Sequence, residues 1–118
     1  FLVKTGADSV VSVIGVPTAY NPHWQFTMAE DGRLALFTGV SIRQIIRRRQ
    51  DLPETYHRNS ALYAFKSSLL FADEPSFYGE DTRGYVMGHE YSSDIDTLED
   101  WAEAEENMRA LLARHQQA

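Results

Sequence analysis

A nearly continuous apolar run, "SVVSVIGV", occupies positions 9–16 and is rich in β-branched residues. A strand with one solvent-exposed face alternates apolar and polar side chains, whereas a strand buried on both faces stays apolar throughout. Such strands lie inside parallel sheets, whose crossover segments are usually helices. The run therefore predicts an α/β fold with this strand in the interior of the sheet.

The stretch before that strand, "FLVKTG", carries the signals of a helix C-terminus. Lys4 lies in the last turn, where the helix dipole favours a cation, and Gly6 follows at a position that commonly adopts a left-handed conformation. The helix has no beginning in this sequence, and residue 1 is Phe. We therefore expect residues 1–118 to be a single domain that forms the C-terminal portion of a longer protein.

An insertion of about residues 17–60 is expected to contain a β-hairpin. Apolar side chains alternate at Trp24, Phe26 and Met28 and again at Leu34 and Leu36, with the turn signal "DG" between them. The remainder, from position 41 onward, is polar and is interrupted by a proline, so we expect it to be irregular. Because the insertion is rich in apolar and aromatic groups, we also expect it to mediate a homo-oligomer, a dimer or a tetramer.

Two further strands are expected after the insertion. The first is "ALYAFK", positions 61–66, which alternates and is rich in aromatic residues, and the second is "YVMGHE", positions 85–90. Between them, "SSLLFADE" has the pattern of a short helix and "FYGEDTRG" that of a loop.

The last segment has the clearest helical periodicity in the chain. Apolar residues recur at three- and four-residue spacing from Leu98 to Leu112, with Glu105 as the one polar exception, which predicts an amphipathic helix from about Leu98 to Arg114. Thr97 is a suitable N-cap, and Asp100 three residues later gives an acidic version of the capping box. We expect Trp101 to anchor this helix to the core.

The composition excludes several classes of protein. There is no cysteine, which excludes disulfides and thiolate metal sites and fits a reducing cytoplasm. No apolar run reaches the ~18 residues of a membrane span. A net charge of −6 argues against a nucleic-acid partner. A basic cluster at Arg43 and positions 47–49 indicates either a site for a small anion or a solvated helix face, and the sequence leaves both open.

The segment "SSDID", positions 92–96, places two carboxylates directly before the last helix. If the segment is extended, Asp94 and Asp96 point to the same face, roughly 7 Å apart. Close like charges repel one another, and a divalent cation such as Mg²⁺, which binds oxygen ligands, would remove the repulsion. Alternatively, Asp96 and Thr97 cap the helix and Asp94 faces solvent. Spacing alone does not decide between these two interpretations.

Two longer segments carry a family resemblance. They are "RRQDLPETYHRNSALYAF", positions 48–65, and "GYVMGHEYSSDIDTLEDWAEAE", positions 84–105. In this order they resemble the C-terminal half of the acylneuraminate cytidylyltransferases, which are CMP-sugar synthetases. The resemblance implies a nucleotide-diphospho-sugar transferase-like (Rossmann-like) mixed sheet with a β-hairpin dimerisation insertion and a C-terminal helix. It also implies a transferase that joins CTP to a sialic-acid-like nonulosonic acid and releases pyrophosphate.

The same resemblance implies the site residues. Mg²⁺ would bind Asp94 and Asp96, where it would neutralise charge on the triphosphate. A guanidinium suits the two-point grip of a sugar carboxylate, and an amide both donates to and accepts from hydroxyl groups. The residues assigned to the sugar in this way are Arg49, His57, Asn59 and Tyr63.

The sequence also departs from the family. His57 stands where these enzymes often have Arg, and Ser60 stands where they usually have Gly, so the identity of the sugar stays open. The Gly/Ser/Lys/Arg-rich loop that holds CTP in the family's N-terminal half is not found in residues 1–118. We therefore expect the isolated chain to be inactive. The alternative is a non-catalytic, truncated module for oligomerisation or sugar binding.

Overall fold

The structure is a computed structural model that describes residues 1–117. The chain divides into two compact units, which we describe separately. The sheet unit consists of Phe1–Ile14 and the residues from Arg58 onward, and the hairpin unit consists of Gly15–His57. The helices and strands, in chain order, are α1 (Leu2–Thr5), β1 (Ser9–Gly15), β2 (Phe26–Met28), β3 (Leu34–Leu36), β4 (Tyr56–Phe65), β5 (Thr82–Val86) and α2 (Leu98–Gln117).

Strand β1 is the middle strand of a mixed three-stranded sheet with the order β4-β1-β5. It pairs in parallel with β5, from Ser9 opposite Thr82 to Val13 opposite Val86. It runs antiparallel to β4, because the Lys66 N–H donates to the Asp8 carbonyl while, further along β1, the Leu62 N–H donates to the Ser12 hydroxyl. The first four residues of β1 are all buried, so the predicted interior strand is confirmed.

Strand β4 contains a bulge opposite β1. The N–H groups of Lys66 and Leu62 bond to Asp8 and Ser12, so the spacing is four residues on both strands. The next bond joins the Val16 N–H to the Thr55 carbonyl, which is four residues from Ser12 but seven from Leu62, so extra residues lie on the β4 side. Ser60, within β4, has φ 59° and is the one non-glycine residue with positive φ among residues 1–117. A residue in this left-handed region is a common way to place extra residues in one strand of an antiparallel pair. The bulge therefore lies around Asn59, Ser60 and Ala61.

The expected boundaries of β4 and β5 were wrong. Strand β4 begins at Tyr56, five residues before the predicted start, and β5 covers Thr82–Val86 instead of residues 85–90. The residues Thr82–Gly84 have the composition of a loop, yet they form the first pairs of β5 with β1. Backbone pairing with β1 thus determines where β5 begins. The side-chain pattern of residues 82–84 alone cannot predict this start, because it does not show which strand lies beside them.

The shorter predicted elements are mostly confirmed. Helix α1 ends at Thr5, and the Gly6 that follows has a left-handed φ of 69°, as expected. The predicted short helix is present as a 3-10 helix at Ser67–Phe71. In the hairpin unit, β2 and β3 pair antiparallel and Gly32 takes the turn with φ 85°. The region after β3 is irregular, with 3-10 turns at Ile42–Gln44 and Arg49–Asp51.

Helix α2 is confirmed and reaches Gln117, but its packing differs from the expectation. None of its described residues is buried, and the Trp101 side chain is 56% exposed, so the prediction that Trp101 anchors the helix to the core was wrong. The described residues of the sheet unit do not cover this apolar face, since Leu98 at its start is 90% exposed. Across residues 1–117, we find no helix with both the length and the apolar character needed to cross a bilayer.

Candidate functional site

The acidic segment before α2 is not a strand. A 3-10 turn at His89–Tyr91 is followed by residues 92–95 without regular secondary structure. The condition for the first interpretation, an extended "SSDID" strand, is therefore not met, and alternation along a strand does not place Asp94 and Asp96 on one face. Both residues are exposed. The loop connects β5 with α2, so its carboxylates lie beyond the C-terminal end of a parallel strand.

A capping box joins this loop to the helix. The Asp100 N–H donates to Thr97 Oγ1 at 3.1 Å. In return, Asp100 Oδ2 accepts from the N–H groups of Thr97 at 2.9 Å and Asp96 at 3.0 Å. These hydrogen bonds lower the pKa of Asp100. The bond from the Asp96 N–H has the largest effect, followed by the bonds with Thr97. The predicted cap is confirmed for Thr97 and Asp100, whereas Asp96 contributes its backbone N–H and not its carboxylate.

Replacing Thr97 by alanine is expected to lower the free energy of unfolding by about 1 kcal/mol, because the Asp100 N–H loses its acceptor. The effect can be measured by chemical denaturation of the natural polypeptide that contains these residues. Thr97→Ser keeps the hydroxyl and serves as the control, with a stability close to that of the wild type. Equal losses in both variants would contradict a role for the hydroxyl.

The cap also has an expected pH dependence. The pKa of Asp100 is lower in the folded protein than its usual 3.8, so its carboxylate stabilises the fold fully above that value. This stabilisation is lost as the pH falls through the lowered pKa.

A small polar cleft adjoins the cap. Its volume is ≈ 120 Å³, and the residues that line it include Asp94, Asp100, Glu103 and Asn107. Asp96 is not part of the lining. One oxygen of Asp100 is already engaged by backbone N–H groups. Three acidic residues thus border the cleft, and Asp94 is the one that belongs to the acidic loop.

The donor set of this loop fits Mg²⁺ only if other molecules complete the coordination. Within residues 1–117, no three His, Asp or Glu side chains are grouped closely enough to hold a metal ion by themselves. Mg²⁺ commonly binds one or two carboxylates and takes its other ligands from water and substrate phosphates. The two exposed aspartates, Asp94 and Asp96, are compatible with this mode of binding.

Asn59 lies at the bulge of β4, where its side chain holds the sheet together. Asn59 Oδ1 accepts from Ser12 Oγ at 2.5 Å and from the Ala61 N–H at 3.3 Å, and its Nδ2 lies 3.5 Å from Met87 Sδ. The same Ser12 hydroxyl accepts from the Leu62 N–H at 2.8 Å. The amide of Asn59 therefore has partners within the sheet unit on both its oxygen and its nitrogen.

Tyr63 belongs to a cluster of hydroxyl groups around an arginine. Arg58 Nη1 donates to Tyr78 Oη at 3.1 Å. The Tyr63 hydroxyl lies 3.4 Å from Ser60 Oγ. The hydrogen bond to Tyr78, followed by the electrostatic interactions with Tyr78 and Tyr63, raises the pKa of Arg58. Sequence reasoning missed Arg58 and Tyr78, and the only local signal was the position of Arg58 directly before Asn59.

Arg49 and His57 lie in the hairpin unit. Arg49 begins a 3-10 turn, Arg49–Asp51, and its side chain is exposed. His57 is the second residue of β4 and is also exposed. Arg48, which directly precedes Arg49 in the basic cluster, has its Nε 3.9 Å from an Asp51 carboxylate oxygen. Of the two interpretations of the basic cluster, the helix face does not agree with the structure, because residues 42–44 and 49–51 form 3-10 turns and residues 45–48 have no regular secondary structure.

The comparison with known proteins gives a distant relative. No family model matches the chain. The chain is similar to a flagellin modification protein. This relative, the post-translational flagellin modification protein B of Campylobacter coli, is 25% identical over 85 residues, which are 72% of this chain and 34% of the relative. The chain thus spans about a third of the length of the relative it matches.

Proposed function

We propose that this chain is a portion of a sugar-nucleotide enzyme, a CTP-dependent cytidylyltransferase that acts on a sialic-acid-like nonulosonic acid. The observation that carries the proposal is the position of the two motif segments. Segment 48–65 ends in β4 and segment 84–105 runs from β5 into α2, so strands from both segments flank β1 in one sheet. The distant similarity to a flagellin modification protein supports a role in modifying other molecules.

The proposed chemistry assigns positions to the residues of the chain. Mg²⁺, when bound, would withdraw negative charge from the triphosphate of CTP. Asp94 and Asp96 would hold it, and Asp100 would keep their loop ordered through the Asp96 and Thr97 N–H groups. No nucleophile on the protein is required, since phosphoryl transfer of this kind depends on positioning and charge neutralisation. The attacking group would be the anomeric hydroxyl of the sugar.

The same proposal implies the substrates and the protein partners of this chain. CTP and the sugar acid would be the substrates, and the CTP-binding loop would come from outside residues 1–118. The hairpin unit would mediate a homo-oligomer, because it exposes Tyr20, Met28 and Phe37 on its surface. The second candidate, a non-catalytic oligomerisation or sugar-binding module, is favoured by the lack of a phosphate-binding glycine loop in this sequence.

The test is a pyrophosphate-release assay on the natural polypeptide that contains these 118 residues. With CTP, Mg²⁺ and N-acetylneuraminic acid, we expect pyrophosphate release that stops when the sugar is omitted or the metal is chelated. Calorimetry of the isolated 118-residue chain with CTP and Mg²⁺ is expected to show no binding. Absence of turnover with any nine-carbon sugar acid, together with a stable oligomer that binds the sugar, would favour the non-catalytic module instead.

A further inference from the structure

We propose that α2 carries a self-association surface, through which two copies of this chain pair by their α2 helices in antiparallel orientation. The surface, called the α2 stripe below, consists of Leu98, Trp101, Glu105, Met108 and Leu112. It belongs to the sheet unit and is distinct from the apolar surface of the hairpin unit. The pairing goes beyond the proposed enzyme function and does not depend on it.

The α2 stripe is an apolar surface that the described residues leave open. Its members Trp101, Met108 and Leu112 are each more than half exposed. A cleft of ≈ 290 Å³ adjoins the stripe, and the residues that line it include Ala104, Met108 and Leu111. Contiguous apolar surface beside such a cleft is typical of a protein–protein contact, because the cleft can receive side chains of the partner.

The spacing of the α2 stripe fits two helices packed along their length. Successive members are separated by three, four, three and four residues, which keeps one side of a helix against its partner. The last four members are also symmetric about the midpoint between positions 106 and 107. An antiparallel copy therefore places Trp101 against the partner's Leu112 and Glu105 against the partner's Met108. This two-fold arrangement uses the same surface on both copies and is closed.

The charges of α2 favour the antiparallel orientation. The first ten residues of the helix carry five acidic side chains and no Lys or Arg, whereas the last ten carry Arg109 and Arg114 and no acid. About the same midpoint, the partner's Arg114 is level with Glu99, and the partner's Arg109 lies beside Glu105, the polar member of the stripe. A parallel pair would instead bring like charges together, which disfavours that orientation. The helix is thus complementary to a second copy of itself.

Sedimentation equilibrium on the natural polypeptide tests the pairing. Leu112→Asp places a carboxylate in the contact, and we expect it to weaken association roughly 10-fold or more, so that the assembly mass falls to half at about 100 μM protein. Ala110→Asp is the matched control, because it adds the same charge at an exposed position about 200° around the helix. Its mass should equal that of the wild type.

A charge exchange tests the orientation of the two helices. Glu105→Arg and Arg109→Glu should each weaken association by roughly 10-fold, because each single change places like charges beside one another across the contact. The double variant should recover most of the wild-type affinity, since the exchanged charges meet again across the two-fold axis. A parallel pair would show no recovery in the double variant.

Three results would overturn the proposal. The first is a mass for Leu112→Asp equal to that of the wild type, including the case in which the wild type is a monomer. The second is dissociation by Met28→Asp, a change at an exposed residue of the hairpin unit, without any effect of Leu112→Asp. The third is a Leu112→Asp variant that does not fold or melts at a lower temperature than Ala110→Asp when both are dissociated, because the stripe would then be covered within one polypeptide.

Discussion

Replacing Ser12 by alanine is expected to lower the free energy of unfolding by about 2–4 kcal/mol, since two hydrogen-bonding groups would lose their partner. The Ser12 side chain is 0% exposed and lies in the middle strand of the sheet. Its hydroxyl donates to Asn59 Oδ1 and accepts from the Leu62 N–H, so it bridges the two ends of the bulge. Water cannot easily replace a hydroxyl at a site that is closed to solvent.

Urea denaturation of the natural polypeptide, followed by circular dichroism, measures this loss as a shift of the midpoint. Ser68→Ala is the control, because Ser68 is exposed, and we expect its effect to stay within about 0.5 kcal/mol. A Ser12→Ala variant as stable as the control would show that the bulge does not depend on this hydroxyl.

Replacing Asp94 or Asp96 by asparagine is expected to lower kcat for Mg²⁺-dependent pyrophosphate release by about 100-fold or more, since each change removes one charged ligand from the proposed metal site. Asparagine has nearly the shape of aspartate and leaves the backbone N–H of residue 96 available to Asp100. The fold should therefore be preserved, and thermal denaturation can verify this. Mg²⁺ titration of each variant should show weaker binding of the metal.

Glu99→Gln provides the control for the metal prediction. Glu99 is exposed, lies in the first turn of α2 and carries the same charge, but it is not one of the residues assigned to the proposed metal site. We expect its kcat to stay within about twofold of the wild type, because its charge interacts mainly with the helix dipole. Full Mg²⁺-dependent activity in Asp96→Asn would remove Asp96 from the proposed metal site, and the same result for Asp94→Asn would remove Asp94.

Local patterns predicted those parts of the fold whose stability is local. The run at 9–16 identified β1, the "DG" turn identified the hairpin, and Thr97 with Asp100 identified the start of α2. Each of these features involves residues that are close in sequence. Their side-chain spacing or backbone preference therefore determines the structure directly.

Features that depend on distant residues could not be predicted in this way. Strand β5 begins in a stretch with loop composition because it pairs with β1, more than seventy positions earlier. The contact between Arg58 and Tyr78 joins residues twenty positions apart. Trp101 has the spacing of a core residue, but spacing cannot show whether anything covers it. The family resemblance named Asn59 and Tyr63 without indicating that Asn59 is held by Ser12.

The capping box couples the order of the acidic loop to the order of the first turn of α2. Because the Asp96 and Thr97 N–H groups are held by Asp100, the loop cannot become disordered without loss of the first helical turn, and the reverse also holds. No described side chain of α2 is buried, so this helix belongs to the least protected part of the sheet unit. Any molecule that packs against its apolar face would stabilise the helix and, through the cap, reduce the fluctuations of Asp94 and Asp96. Packing at the helix and cation affinity at the proposed metal site would thereby be linked thermodynamically.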